Sequence, residues 1–186
     1  MPPAEADLQA PSITWARQFW RVAVGMGIPF GLILMVIDLL LGPTHGAASP
    51  LWRFASRSAF FGLGMAGLIV GISRLTLKTA TPPPLHPRRV LSLPCGSETG
   101  VQRVRAALLR VPDSSIGKFD PTVGTVVAMT GPSWKSWGEV ITAHVQPSGA
   151  EECIVHLESR PRMRFTVADY GANARNVDLV EAELKA

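Results

Sequence analysis

Two long apolar stretches dominate the first part of the chain, and shorter alternating patterns follow them. Residues 22–42 are mostly apolar and carry one charge, Asp38. At about 1.5 Å of rise per residue, this stretch forms a helix about 31 Å long, which matches the hydrocarbon core of a bilayer. We therefore predict a transmembrane helix over residues 22–42, preceded by a flank of residues 1–21.

A second apolar stretch covers residues 51–73. Its uncharged part, residues 58–73, is short for a membrane span, but Arg53 and Arg57 at its start can extend their charged ends toward the headgroups. We predict a second transmembrane helix here, which would form a hairpin with the first. A re-entrant or interfacial helix is the alternative.

One acid and one base within these stretches predict an ion pair. Asp38 lies near the end of the first helix and Arg57 near the start of the second, so an antiparallel hairpin would bring them to the same depth. A proton or ion relay would need further acids within the apolar stretches, and the sequence has none there. We therefore predict a structural pair.

Small residues recur at four-residue spacing in both stretches, as Gly27 with Gly31 and Gly67 with Gly71. Glycines at this spacing let helix backbones approach closely in lipid. The pattern predicts a close contact within the hairpin or in a homo-oligomer, with lipid-facing glycines as the alternative. Residues 62–67 also spell GxGxxG, but a dinucleotide site needs this motif between a strand and a helix.

The distribution of positive charge predicts an orientation. Six Lys and Arg residues flank the two stretches on the side of the chain ends, and only Arg53 and Arg57 lie near the connection between the helices. The positive-inside rule then places both termini and the C-terminal domain on the cytoplasmic side of the membrane. The six residues are Arg17, Arg21, Arg74, Lys78, Arg88 and Arg89.

A proline-rich linker, residues 74–87, separates the apolar stretches from a domain of residues 88–186. Four prolines among residues 79–87 exclude a helix or a central strand and predict a stiff, extended spacer. The domain reads as strand, helix, three strands and helix, which predicts a two-layer α+β sandwich with an antiparallel sheet. The predicted strands are residues 88–94, 122–130, 136–146 and 152–160, and the predicted helices are residues 97–111 and 168–185.

The periodicities of these elements predict the core. Alternate positions face inward in the strands, and positions three or four apart face inward in the helices. Ser97 is expected to cap the first helix and Asp169 the last one. The predicted core comprises Val101, Val104, Leu108, Val111, Ile141, Ala143, Val145, Cys153, Val155, Leu157, Val177, Val180 and Leu184.

Three short motifs carry a resemblance. They are the SWKSWGE of residues 133–139, the SRP of residues 159–161 and the DYGAN of residues 169–173. Residues 120–186 thereby resemble a family of uncharacterised bacterial proteins that hang a small α+β domain from membrane helices. The pattern is also distantly similar to a bacterial domain of unknown function, the type numbered 1499. The resemblance implies this architecture and, with the charge distribution, a bacterial inner membrane. It implies no activity, cofactor or catalytic residue.

Composition excludes several function classes. The chain is 47% hydrophobic and 17% charged, and its net charge of +4 is too small to indicate a nucleic-acid partner. Cys95 and Cys153 lack metal-ligand spacing and are expected to be reduced, and His144 and His156 lack a third ligand. We predict neither a metal nor a cofactor.

A few polar residues of the domain are candidates for a site. Glu139 and Arg160 are expected to form a cross-strand ion pair. Asn173 shares the buried face of the last helix, so its amide should bond main-chain groups of a strand or of residues 160–164. Of Trp134 and Trp137, one should be buried and one exposed.

A group of basic residues predicts a surface for anionic lipid headgroups, with a solvated surface as the alternative. They are Arg160, Arg162 and Arg164, with Lys135, Arg88 and Arg89.

Three functions stay open on this basis. The sequence favours a non-enzymatic, membrane-anchored interaction or scaffold module whose domain binds a protein partner or an anionic lipid surface. The second is a small-ligand receptor or enzyme with a site around Trp134, Glu139, Arg160 and Asn173. The third is an accessory subunit of a larger membrane complex.

Overall fold

The computed structural model describes residues 14–42, 49–133 and 136–186. The chain forms two compact units that divide between Pro82 and Pro83. The first is helical and the second contains the sheet.

The first unit consists of two helices, α1 (Trp15–Leu41) and α2 (Pro50–Leu77). The hydroxyls of Thr14 and Ser49 cap them by accepting hydrogen bonds from backbone N–H groups. Both helices are long and apolar enough to span a membrane.

Each helix extends beyond the apolar stretch that predicted it. At the start of α1, the Trp15 indole donates to the Thr79 carbonyl, and the Arg74 guanidinium lies 5.8 Å from the Trp15 ring centre. The second helix continues through Leu77 and ends at Lys78, which has a left-handed φ of 49°. The predicted linker boundary at residue 74 was therefore early, because no helix-breaking residue occurs before Pro82.

The second unit is built on a five-stranded antiparallel sheet. Its order is β1-β5-β4-β3-β2, with β1 at one edge beside the last strand. The strands are β1 (Arg88–Leu93), β2 (Ser114–Asp120), β3 (Thr125–Thr130), β4 (Glu139–Pro147) and β5 (Cys153–Pro161), and the helices are α3 (Ser97–Leu108) and α4 (Ala172–Lys185).

The predicted element order was one strand short. No strand was predicted between residues 112 and 121, where β2 lies, and the predicted strand of residues 122–130 begins too early, within the turn that precedes β3. A bulge between Ile116 and Lys118 interrupts the pairing of β2 with β3, so the strand lacks clean alternation. The order is strand, helix, four strands and helix.

Both helices of this unit pack against one face of the sheet. All thirteen core positions predicted from periodicity are buried. Val126 and Ala128 of β3, which were not among the predicted core positions, are also fully buried. The two-layer α+β arrangement is thus present, with a single core between the layers.

Two helix starts differ from the prediction. Gly96, not Ser97, is the N-cap of α3, and it makes no side-chain capping bond. Helix α4 begins at Ala172 rather than residue 168, because Tyr170 and Gly171 adopt left-handed φ values of 50° and 76°. These two residues form a turn instead of a first helical turn.

Candidate functional site

The predicted ion pair of the helical unit is present. Arg57 Nη1 lies 2.7 Å from Asp38 Oδ2, and Arg53 Nε lies 3.6 Å from the same oxygen. The sequence pattern identified Arg57 but missed the second arginine, which lies one helical turn earlier. A cavity of about 320 Å³ adjoins the pair and is lined by apolar side chains beside the three charged ones. The role of the pair in folding stays a prediction.

The small residues of α1 contact α2, but through partners other than those predicted. A Cβ built on Gly27 would lie 2.5 Å from the Ser58 carbonyl oxygen, and one on Gly62 would lie 3.0 Å from the Gly27 Cα. A Cβ on Gly67 or Gly71 would meet nothing within 4 Å. Gly67 and Gly71 therefore do not form the hairpin contact, and a homo-oligomer through them stays a prediction.

In the domain, strand direction brings several loops to one end of the sheet, which we call the loop end. Strand β1 begins there, β3 and β5 end there, and β4 starts there. The Arg162 amide donates to the Gly138 carbonyl at 2.9 Å, which ties the β5–α4 loop to the β3–β4 loop. Most of the domain's candidate site residues lie at this end.

The buried polar residues of the domain collect at the same end of its core. Glu139 starts β4 on the helix-covered face, and its carboxylate accepts hydrogen bonds from the hydroxyls of Thr130 and Ser136. The Thr130 hydroxyl oxygen also accepts a hydrogen bond from the Glu139 amide, at 2.7 Å. In the described part of the chain, Glu139 forms no ion pair with Arg160, so that prediction was wrong.

The alternation of side chains along the two strands explains why this ion pair does not form. Glu139 lies opposite Pro161, and Arg160 lies opposite Val140. Successive side chains of a strand point to opposite faces. Glu139 and Arg160 are therefore on different faces of the sheet.

A second buried network joins β5 to the start of α4. Asn173 Oδ1 accepts from the Ser159 hydroxyl at 2.7 Å, and Asn173 Nδ2 donates to Asp169 Oδ2 at 2.7 Å. Asp169 also accepts from the amides of Gly171 and Asn173. Asp169 thus bonds the helix N-terminus as predicted, whereas the Asn173 amide bonds side chains rather than the predicted main-chain groups.

The two networks are neighbours in the sheet. Ser159 lies opposite Ile141, two residues along β4 from Glu139, and all three share the covered face. Each carboxylate already accepts hydrogen bonds from donors of the protein itself, which supports a structural role for both acids.

The exposed side of the loop end carries aromatic, apolar and basic side chains. Phe165 is 89% exposed, Trp137 67% and Met163 45%. The amide and hydroxyl of Thr166 donate to the Met163 carbonyl, which closes a turn with Arg164 and Phe165 at its tip. We call this surface the basic–aromatic edge; it comprises Trp137, Arg160, Arg162, Met163, Arg164 and Phe165.

Sequence reasoning found the arginines and Trp137 but missed Met163 and Phe165. Their signal is the RPRMRF run of residues 160–165, in which basic and apolar residues alternate beyond the end of a strand. Trp134 and Lys135 lie outside the described residues.

Arg88 and Arg89, which were also predicted for this surface, already form ion pairs. Arg88 Nη2 lies 3.3 Å from Glu158 Oε1, and Arg89 contacts Asp178 at 3.5 Å and Glu181 at 3.3 Å. These contacts hold β1 to β5 and to α4. The basic–aromatic edge therefore draws its positive charge from Arg160, Arg162 and Arg164.

The two cysteines are free thiols. Cys153 is fully buried on β5, and burial, with a smaller contribution from the neighbouring Cys95, raises its pKa to about 11. A thiol with this pKa is almost wholly protonated at neutral pH and is a poor nucleophile. In the residues that the structure describes, no group of three His, Cys, Asp or Glu side chains could hold a metal.

No protein-family model and no curated protein matches this chain. Several solved structures show a limited similarity. The di-domain ARO/CYC BexL from the BE-7585A biosynthetic pathway is 17% identical over 54% of this chain and 44% of BexL, with a TM-score of 0.39. An uncharacterised protein from Bacillus thuringiensis is 9% identical over 54% of this chain and 99% of its own, with a TM-score of 0.37.

The Zhui aromatase/cyclase from Streptomyces sp. R1128 is 9% identical over 53% of this chain and 85% of its own, with a TM-score of 0.33. The chain spans less than half the length of BexL. At these TM-scores the similarities carry no conclusion about the fold or function of this chain.

Proposed function

We propose that this protein is a membrane-anchored interaction module, in which α1 and α2 cross the bilayer as a hairpin and hold the α+β domain at its surface. The observation that carries the proposal is the exposure of the helices. Only 11% of the most apolar part of α1 and 22% of that of α2 are buried within the protein. Lipid is the environment in which such surfaces are stable.

The interior of the hairpin supports this assignment. The Phe30 and Phe61 rings stack with centroids 3.8 Å apart, and the Gly27–Gly62 contact lets the two backbones approach closely. Close backbone contact through small residues is how helices associate in lipid, where burial of apolar surface gives no driving force.

Placement of both termini in the cytoplasm of a bacterial inner membrane completes the proposal. Its support is the excess of Lys and Arg on the side of the chain ends. The two thiols are consistent with a reducing compartment.

The domain is proposed to be a binding module rather than an enzyme. Its buried acids Glu139 and Asp169 accept hydrogen bonds from internal donors, whereas its loop end exposes the basic–aromatic edge. Exposed aromatic and arginine side chains are the residue types enriched in interaction surfaces.

The experiment that tests the anchor is extraction of membranes from cells that express the full chain. We expect the full chain to stay in the pellet after an alkaline carbonate wash and to be released by detergent. A variant that lacks residues 14–82 should be recovered without detergent. Release of the full chain by carbonate alone would contradict the proposal.

A further inference from the structure

We propose that the basic–aromatic edge docks on the anionic headgroup surface of a bilayer, with the side chains of Phe165 and Trp137 entering the headgroup region. This inference rests on the proposed membrane anchor and names the partner of the domain.

The basic–aromatic edge exposes two large aromatic side chains. Phe165 is at the tip of a closed turn and is 89% exposed, and Trp137 is 67% exposed in the neighbouring loop. Large apolar side chains at loop tips are costly in water. Trp is enriched at the membrane–water interface, and Phe is among the apolar residues that interfacial anchors bury there.

In the part of the chain that the structure describes, the positive charge of the edge is not neutralised by neighbouring acids. Arg160, Arg162 and Arg164 are exposed, and none of them forms an ion pair within residues 14–42, 49–133 and 136–186. The acids of this end are distant or occupied. Asp113 lies at the start of β2, three strands or about 14 Å from β5, and Glu158 is held by Arg88.

The segment that connects α2 to the domain joins the domain at its loop end. Strand β1 starts at Arg88, so the domain's tether enters at the loop end. The tether, residues 78–87, reaches at most about 36 Å when fully extended. The proposed anchor therefore keeps the loop end within reach of lipid headgroups, and a tethered surface binds at a high effective concentration.

These three features together favour a lipid surface over a protein partner. Interfacial anchors combine aromatic residues with Lys and Arg, and each basic side chain contributes attraction to an anionic surface that salt weakens. The edge has the same composition, because two exposed aromatic side chains lie beside three exposed arginines.

The test uses the full chain reconstituted in vesicles of phosphatidylcholine alone or mixed with phosphatidylglycerol. The photoreactive residue benzoylphenylalanine replaces Phe165 in one sample and Val123 in a control. Val123 is a matched control because it is also apolar and 59% exposed, but lies in the β2–β3 turn at the opposite end of the sheet.

We expect position 165 to crosslink to phosphatidylglycerol in the mixed vesicles and to lose most of that yield in high salt. Position 123 should give little adduct in either vesicle. The double variant Arg162→Gln with Arg164→Gln should lower the equilibrium constant for docking about 25-fold, or about fivefold for each arginine. Lys118→Gln on β2 should leave this constant unchanged.

The outcomes separate this inference from the proposed function. If the chain does not remain with the vesicles after carbonate treatment, the anchor itself is wrong. If it remains but position 165 gives no more lipid adduct than position 123, docking on lipid is wrong. Crosslinking of position 165 to a protein in native membranes, without a lipid adduct, would likewise overturn the lipid assignment.

Discussion

Gly27 and Gly62 face each other across the two long helices so closely that a methyl group on either would press on the backbone of the other. A Cβ on Gly62 would lie 3.0 Å from the Gly27 Cα and would clash with the Ala23 carbonyl oxygen. Backbone atoms cannot move aside as the end of a flexible side chain can. The contact therefore fixes how closely α1 and α2 pack.

Gly62→Ala should separate the helices and destabilise the hairpin. We expect a loss of about 1–3 kcal/mol, the usual cost of an overpacked contact. Gly67→Ala is the matched control on the same helix, because nothing lies within 4 Å of its Cβ position. Unfolding of both variants in mild detergent measures the difference, and equal stabilities would contradict the packing described.

The Asp38–Arg57 pair should show charge reversal and rescue. Reversing either charge leaves two like charges at a part-buried position, so Asp38→Arg and Arg57→Asp should each impair folding. The double swap restores an opposite pair and should recover much of the yield of folded protein in membranes. Arg53 Nε lies 3.6 Å from Asp38 Oδ2 in the native chain, so in the double swap Arg53 faces an arginine at position 38 and the rescue will be partial. A swap that rescues nothing would exclude the pair as a folding element.

The side chain of Asn173 should contribute more to the stability of the domain than that of Asn176 on the same helix. Asn173→Ala removes the partner of Ser159 Oγ and one donor to Asp169, and we expect a loss of about 1–3 kcal/mol. Asn176→Ala is the control, because the buried Asn176 Nδ2 has no hydrogen-bond partner in the described part of the protein. Denaturant titration followed by circular dichroism compares them, and similar losses would argue against a structural network.

Burial of Cys153 should make stability depend on pH in the alkaline range. Its pKa is about 11 in the folded domain against 9.0 for an ordinary thiol. Between these values the unfolded chain loses its thiol proton first, so stability is present below pH 9.0 and falls as pH rises toward 11. The stability difference between the native chain and Cys153→Ala, followed across this range, should shrink with rising pH. A constant difference would contradict this linkage.

The sequence was sufficient for the features that rest on periodicity. Long apolar runs with few charges predicted both long helices, and alternation on β4 and β5 predicted the inward positions, Ile141 and Val155 among them. These positions are determined by local pattern, because a strand buried on one face must alternate. The core of the domain could thus be predicted before its structure was known.

The features that sequence reasoning missed depend on contacts between distant residues. Strand β2 has a bulge and no continuous inward row, so its pairing with β3 defines it better than its own pattern does. The partner of Glu139 depends on register, since a shift of one residue moves a side chain to the other face. The exposure of Phe165 depends on a turn whose closure by Thr166 has no simple sequence signal.

The most direct test of the account is the sidedness of the two ends of the helical hairpin. A cysteine added by His45→Cys, between the helices, or by Thr81→Cys, after α2, can be labelled with a membrane-impermeant maleimide in intact cells. The native chain, which has Cys95 and Cys153, is the baseline. The account predicts that position 45 is labelled from outside, and that position 81 is labelled only after the membrane is opened. Labelling of both positions from the same side would contradict a hairpin that spans the bilayer.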